Sequence, residues 1–165
     1  MLTLKQVPMI YYGDEIGMEH NYSVSKDGGG KRTGARMPMQ WDNSKNRGFS
    51  TKNTIYLPTS NKEGQSVAEQ ENDKNSILNT VRELIKIKKS YPALKASSDQ
   101  TFIEKGYPAV FERTDGKQTI TVLINPSDAV INKKVEYSKV IYSQNAQFDK
   151  DNITLNAQSF AILLA

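Results

Sequence analysis

Apolar positions along this chain fall into four rhythms, and each predicts a different element. The first is a continuous run, Val7-Pro8-Met9-Ile10-Tyr11-Tyr12, stopped by Gly13. An unbroken apolar run ended by glycine suits a strand buried on both faces, as in a parallel sheet. Pro8 is tolerable there, since a residue at the start of a strand can lack its donor. Residues 19–65 then show almost no periodicity and hold Gly28-Gly29-Gly30 with many Asn, Ser and Lys. So long a loop is out of place in a compact domain unless it is functional or belongs to a larger fold. The third rhythm is helical. Ser66 with Glu69 three residues on reads as a capping box, and Asp73 offers a second start. Ile77, Leu78, Val81, Leu84, Ile85 and Lys88 mark one stripe at helical spacing, predicting a helix over Ser76 to Ser90. Tyr91-Pro92 ends it, because the residue before proline avoids the helical region.

From residue 100 onward the rhythm is that of strands. Thr101-Phe102-Ile103 and Ala109-Val110-Phe111 are short strands, and Asp115-Gly116 supplies the positive φ angles of a tight hairpin turn. Gln118 to Ile124 alternates, placing Ile120, Val122 and Ile124 on one face and the threonines on the other. Asn125-Pro126-Ser127-Asp128 is the next turn. Val130-Ile131, Val135, Val140-Ile141, Ile153 to Leu155 and Phe160 to Leu164 supply later strands. Short strands with turns between them predict a small antiparallel sandwich.

Composition narrows the chemistry. The 165 residues contain no cysteine, which removes disulfides, thiolate metal sites and cysteine nucleophiles. His20 is the single histidine, which excludes multi-histidine metal sites. No metal or cofactor is therefore expected. The 22 basic residues exceed the 18 acidic ones by only four, and the lysines are scattered among acids, so no nucleic-acid partner is expected. No stretch approaches the ~20 apolar residues of a membrane-spanning helix, and no membrane partner is expected. Met1 to Gln6 is too short for a signal peptide, with Pro8 and Gly13 following, but in a fragment that absence is uninformative. Localisation is left open, with the cytoplasm slightly favoured.

Several short motifs dissolve on counting. Gly28-Gly29-Gly30-Lys31 lacks the first glycine of a phosphate-binding loop, and Arg32 stands where its Ser or Thr belongs. Asp14 and Glu15 are adjacent. On a strand they would point to opposite faces, so they are not by themselves a glycosidase pair. One of them can still line a site at the end of a strand.

Two segments carry a resemblance. Val7 to Met18, VPMIYYGDEIGM, is similar to the eighth barrel strand and following turn of the alpha-amylase family, glycoside hydrolase family 13. Arg36-Met37-Pro38-Met39-Gln40-Trp41-Asp42 followed by Gly48-Phe49-Ser50 resembles the Arg-Thr-Pro-Met-Gln-Trp segment of its alpha-glucosidase and oligo-1,6-glucosidase branch. Two departures stand out: Gln6 where the family has glycine, and Met37 where it has threonine. The resemblance implies an α+β chain: the last strand–loop–helix unit of a (β/α)8 barrel over residues 1–95, then an all-β C-terminal domain over 96–165. It also explains the long loop, which would fold over the barrel mouth, where the active sites of such barrels lie.

The family's aspartate nucleophile, glutamate acid/base and second aspartate lie on or after the fourth, fifth and seventh strands. The resemblance starts at the eighth, so no catalytic residue is placed on this chain. It implies the C-terminal fragment of a retaining alpha-glucoside hydrolase, inactive alone. The alternative is a non-catalytic carbohydrate-binding or structural module. The substrate-side residues implied are Arg36, Tyr11, Tyr12, Trp41 and Glu15. Arg36 offers a planar fork of donors to sugar hydroxyls or, as the plainer reading, to a structural carboxylate. Tyr11 and Tyr12 can instead be core, and Trp41 a buried packing anchor. The partners implied are an alpha-glucoside or oligosaccharide and the N-terminal barrel portion. A homo-oligomer is a further expectation, since Val7 to Tyr12 and the helix stripe would otherwise be left uncovered.

Overall fold

Alternation in the last third of the chain does build strands, and they join one antiparallel sheet. The computed structural model describes residues 1–60 and 62–165. Its strands are β1 (Asp99–Glu104), β2 (Ala109–Thr114), β3 (Thr119–Asn125), β4 (Ile131–Lys134), β5 (Lys139–Asp149) and β6 (Asn152–Leu164). The β2–β3 hairpin turns where expected: Gly116 has φ 85°, and the Asp115 carboxylate accepts from the Lys117 and Gln118 N–H groups at 3.1 and 3.0 Å.

Instead of two stacked sheets, a single sheet runs β1-β2-β3-β6, and the long β6 is shared. The segments Ile153 to Leu155 and Phe160 to Leu164 belong to this one strand. β5 lines one edge of β6 from end to end. β3 pairs with Ser159–Leu164 and β4 with Asn152–Leu155, so they share the other edge in succession. The β5–β6 ribbon turns a corner midway. Its ladder breaks between Gln144 and Ala146, and Asn145 and Gln158 take φ 55° and 50° there. Bulged, strongly bent strands let one sheet cover its own face. Buried Asn125 pins the corner. Its amide donates to the carbonyls of Ala129, Leu155 and Asn156, while its oxygen accepts from the Ser127 N–H and hydroxyl.

Both faces of the sheet are therefore buried. Phe111, Ile120, Val122 and Ile162 pack with Ile87, Ala93 and Leu94 on one side. Val110, Leu123, Ile153, Leu155, Ala161 and Leu163 form a second core on the other. The threonine face of β3 is buried too, with Thr121 and Leu123 at 5% and 0% exposed.

The helical signals hold, with a different division of labour. α1 (Val67–Glu71) starts with the Ser66–Glu69 capping box, both of its reciprocal bonds made. α2 (Ile77–Ser90) starts where the Ser76 hydroxyl accepts from Asn79 N–H at 3.2 Å, and it ends before Tyr91-Pro92. Ile87, outside the predicted stripe, is buried, whereas Ile77 is half exposed. The chain forms two compact units: Met9–Glu83, and Met1–Pro8 with Leu84–Ala165. The two units part inside α2, because Leu84, Ile87, Ala93 and Leu94 pack with the sheet's core.

No strand forms over Val7 to Tyr12. Val7 and Met9 are 83% and 85% exposed. A parallel strand needs ladder partners for its N–H and C=O groups, and no strand among the described residues pairs with this run. The chain passes instead into a turn and a 3-10 helix at Asp14–Ile16.

Candidate binding cleft

Within the unit Met9–Glu83, irregular chain does the work that strands and helices do elsewhere. Asp14 and Glu15 fold back on the turn that carries them. The Asp14 carboxylate accepts from Tyr11 N–H at 3.0 Å, and Glu15 Oε2 from Gly13 N–H at 2.7 Å. Gly13 has φ 93°, a conformation that suits glycine. Ile16, Met39 and Leu78 form a small core beneath. Gln70 ties the layer together: its amide nitrogen donates to Ile16 O at 2.8 Å, and its amide oxygen accepts from Leu78 N–H at 3.0 Å.

The motif segment passes over this core. Met37, Pro38, Met39 and Gln40 are buried, and Trp41 emerges. Gly34 lies so close to the Asn21 carbonyl that a β-carbon would fall 1.9 Å from it, which fixes the path into Arg36.

These elements surround a cleft of about 430 Å³ lined by Tyr12, Glu15, Arg36, Pro38, Met39, Trp41, Phe49, Tyr56 and Leu57. Four of the five residues implied as substrate-side thus share one cavity. The fifth, Tyr11, packs its ring at a tilt against Tyr12 with centroids 4.6 Å apart and faces an adjoining recess with Asp14 and His20. Tyr11 and Tyr12 are not core, at 50% and 42% exposed, and Trp41 is not a buried anchor, at 51%. Among the described residues Arg36 makes no ion pair and no hydrogen bond through its side chain, so the salt-bridge alternative finds no partner.

Phe49 and Tyr56 complete the aromatic lining. Tyr56 was not singled out by its sequence context, which shows no periodicity. Its placement depends on contacts 29 and 30 residues away: its hydroxyl donates to Asp27, and its carbonyl accepts from Lys26 Nζ at 2.9 Å. The Lys26 ammonium also sits 4.3 Å from the Tyr56 ring centroid. Only the spacing of aromatic residues in the loop could have signalled it.

Burial, then the side-chain hydrogen bond with Tyr11, raises the Tyr12 phenol above its usual pKa, against the opposing pull of the Arg36 charge. Tyr12 therefore presents a neutral hydroxyl. Aromatic faces with a few convergent polar groups form the usual pattern of a small-molecule site, and about 430 Å³ falls in the usual size range. A sugar suits such a lining. Its C–H faces lie on aromatic rings, and its hydroxyls meet a guanidinium fork and a carboxylate. Glu15 is the one carboxylate on this lining. Retaining hydrolysis needs two, about 5–5.5 Å apart.

His20 lies in a loop, with Nε2 2.7 Å from the Lys31 carbonyl and its ring tilted against Tyr22, centroids 4.2 Å apart. Gly30–Ala35 forms a 3-10 helix that carries the motif dismissed as a phosphate loop.

Comparison with known proteins bears on this arrangement. The model of the alpha amylase catalytic domain matches residues 1–97. The trehalose synthase/amylase TreS of Mycobacterium tuberculosis is 36% identical over 107 residues, covering 61% of this chain and 17% of that protein. An alpha-glucosidase of Apis mellifera is 30% identical over 142 residues, covering 77% of this chain and 25% of that protein. A D-glucose complex of an isomaltulose synthase mutant from Erwinia rhapontici NX5 matches 99% of this chain and 36% of its own, with TM-score 0.86 and 26% identity. The chain thus spans well under half the length of these relatives.

Proposed function

The chain belongs to the alpha-amylase family of glycoside hydrolases, and from that premise we propose that it is the C-terminal part of a retaining alpha-glucoside-acting enzyme, inactive alone. Residues 1–95 correspond in this reading to the last strand–loop–helix unit of a (β/α)8 barrel, with residues 96–165 as the domain that follows. The relatives it matches include an alpha-glucosidase, a trehalose synthase/amylase and an isomaltulose synthase. The substrate class proposed is short alpha-glucans and oligosaccharides.

The observation that carries the reading is the cleft itself. It joins the Arg36 guanidinium, which has no side-chain partner among the described residues, to the exposed rings of Tyr12, Trp41, Phe49 and Tyr56. Arg36 cannot give up a proton near neutral pH, so its role is to bind and orient sugar hydroxyls. Tyr12 adds a neutral hydroxyl. Trp41 offers a flat face to a pyranose ring, with Tyr11 supporting Tyr12 from behind. Glu15, already holding Gly13 N–H, accepts from a sugar hydroxyl through its remaining lone pairs. The nucleophile and acid/base are assigned to the N-terminal barrel portion, which this reading names as the partner.

The test combines binding with turnover. Maltose titrated into the chain should quench Trp41 fluorescence saturably, with a Kd on the order of 1 mM, about −4 kcal/mol. Arg36→Ala should weaken that binding about ten-fold, the loss of one charged hydrogen bond. Nitrophenyl alpha-glucoside should not be turned over. Turnover abolished by Glu15→Gln would overturn the reading. Maltose binding that survives Arg36→Ala but is lost with Tyr107→Ala would favour the non-catalytic binding module, since Tyr107 is 74% exposed beside the sheet.

A further inference from the structure

The aromatic wall of the cleft hangs on an unusual turn. Asn46, Arg47 and Gly48 lie in succession in the left-handed region, with φ 52°, 57° and 72°. Two of the three carry a β-carbon, which that region disfavours, so something outside the turn must hold it. Asn46 supplies part of the restraint through its amide, which donates to the carbonyls of Ser50 and Lys52, both at 2.8 Å.

We propose that Arg47, paired with Glu69, is the positioning residue of the cleft, locking the turn that presents Trp41 and Phe49. The proposal rests on the sugar-cleft reading above. Arg47 works from both ends. Its guanidinium donates to the Glu69 carboxylate at 2.9 Å, to Gln40 Oε1 at 3.2 Å, to the Lys62 carbonyl at 3.3 Å and to Asn43. Its own carbonyl accepts from Trp41 N–H at 2.8 Å and Asp42 N–H at 3.3 Å. The Gln40 and Trp41 carbonyls in turn accept from Val67 and Ala68 N–H at 3.0 and 2.9 Å, where α1 begins.

Glu69 sits in that same first turn of α1, bound to Ser66 and to Gly64 N–H. The ion pair is only 11% and 22% exposed on its two sides, so water screens it little. Trp41 thus has its N–H and its carbonyl both held by groups that Arg47 fixes. Phe49 follows directly, its N–H donating to Asn46 O at 3.0 Å. A lysine reaches Glu69 as a point charge but does not span Gln40, Asn43 and the Lys62 carbonyl together.

Trp41 is the chain's single tryptophan, so its fluorescence reports the wall directly. Time-resolved anisotropy on the full chain should show the fast component of Trp41 growing about two-fold in Arg47→Ala. Maltose binding should weaken about ten-fold in the same variant, because binding groups lose their preset geometry. Arg47→Lys should restore neither. A variant that only lowered global stability would melt earlier and leave the anisotropy at 20 °C unchanged.

Should Arg47→Ala fail to fold, Glu69→Gln decides, since glutamine keeps one acceptor oxygen for the Ser66 and Arg47 donors while losing the charge and the acceptor that Oε1 offers Gly64 N–H. Unchanged anisotropy in the folded variants overturns the proposal. A larger fast component, with no maltose binding even by the unmodified chain, upholds the positioning role and removes the sugar reading instead.

Discussion

Glu69 shows how one side chain can serve a helix start and a cleft together. The Ser66 hydroxyl first, then the Gly64 and Ser66 N–H groups and the Asn43 amide, hold its carboxyl at about 2, against an ordinary value of 4.5. A group with a lowered folded pKa contributes stability that is complete above its unfolded value and lost as pH falls through the folded one. Glu69 therefore stabilises the chain fully above about pH 4.5, and that contribution fades towards pH 2. Urea midpoints of the unmodified chain and Glu69→Gln should differ most near neutral pH and converge across that window. A gap that stays constant with pH would mean the carboxyl titrates in its usual range. The same scale explains Gly34. Its hydrogen offers no handle to a reader of the sequence, yet the neighbouring Asn21 carbonyl leaves no room for a methyl group.

At the scale of elements, the β corner is the feature most open to a single substitution. Asn125→Ala removes three donated bonds and strands the carbonyls of Ala129, Leu155 and Asn156. Leaving buried acceptors unpaired should cost roughly 2–4 kcal/mol, read as a lower urea midpoint with the slope preserved. Alternation made β1, β2, β3 and their turns legible, as 3.6-residue spacing did α2 and the Ser66–Glu69 pair did α1. The corner was not legible, because a bend at Asn145 and Gln158 arises from pairing between strands and carries no proline or glycine to announce it. Val7 to Tyr12 was misread for a related reason: apolar content predicts burial, but strand geometry also needs a ladder partner. Within the cleft, Arg36, Tyr12, Glu15 and Trp41 were legible through the motif segments that carry them. Tyr56 and Arg47 were not, since each depends on partners more than twenty residues away in aperiodic chain.

For the molecule as a whole, uncovered apolar surface is the main liability. Val7 and Met9 stand almost fully exposed, and Ile77 is half exposed. A separate recess of about 270 Å³ in the sheet-bearing unit is lined by Met1, Leu2, Leu84, Val122, Ile124, Phe160 and Ile162. Such surface marks an interface in proteins that have a partner and an association hazard in those that do not. Light scattering across a concentration series should therefore show self-association of the isolated chain. The double variant Val7→Lys, Met9→Lys should reduce it, and association unchanged by both lysines would place the contact elsewhere.

Buried Arg113 sets the order in which this chain can assemble. Its guanidinium donates to the Thr3 carbonyl at 2.7 Å across 110 residues of sequence, and to carbonyls around Lys95 to Asp99. The local pieces, α2 and the β2–β3 hairpin, need only short loops to form, whereas this contact must close a very long one. Closure entropy rises slowly with length, by about 0.6 kcal/mol per doubling, but it must be met before the bond returns anything. Contacts of that separation form late and slow the whole reaction. On a ribosome the leading segment waits, apolar side chains in water, until almost two-thirds of the chain has followed it out.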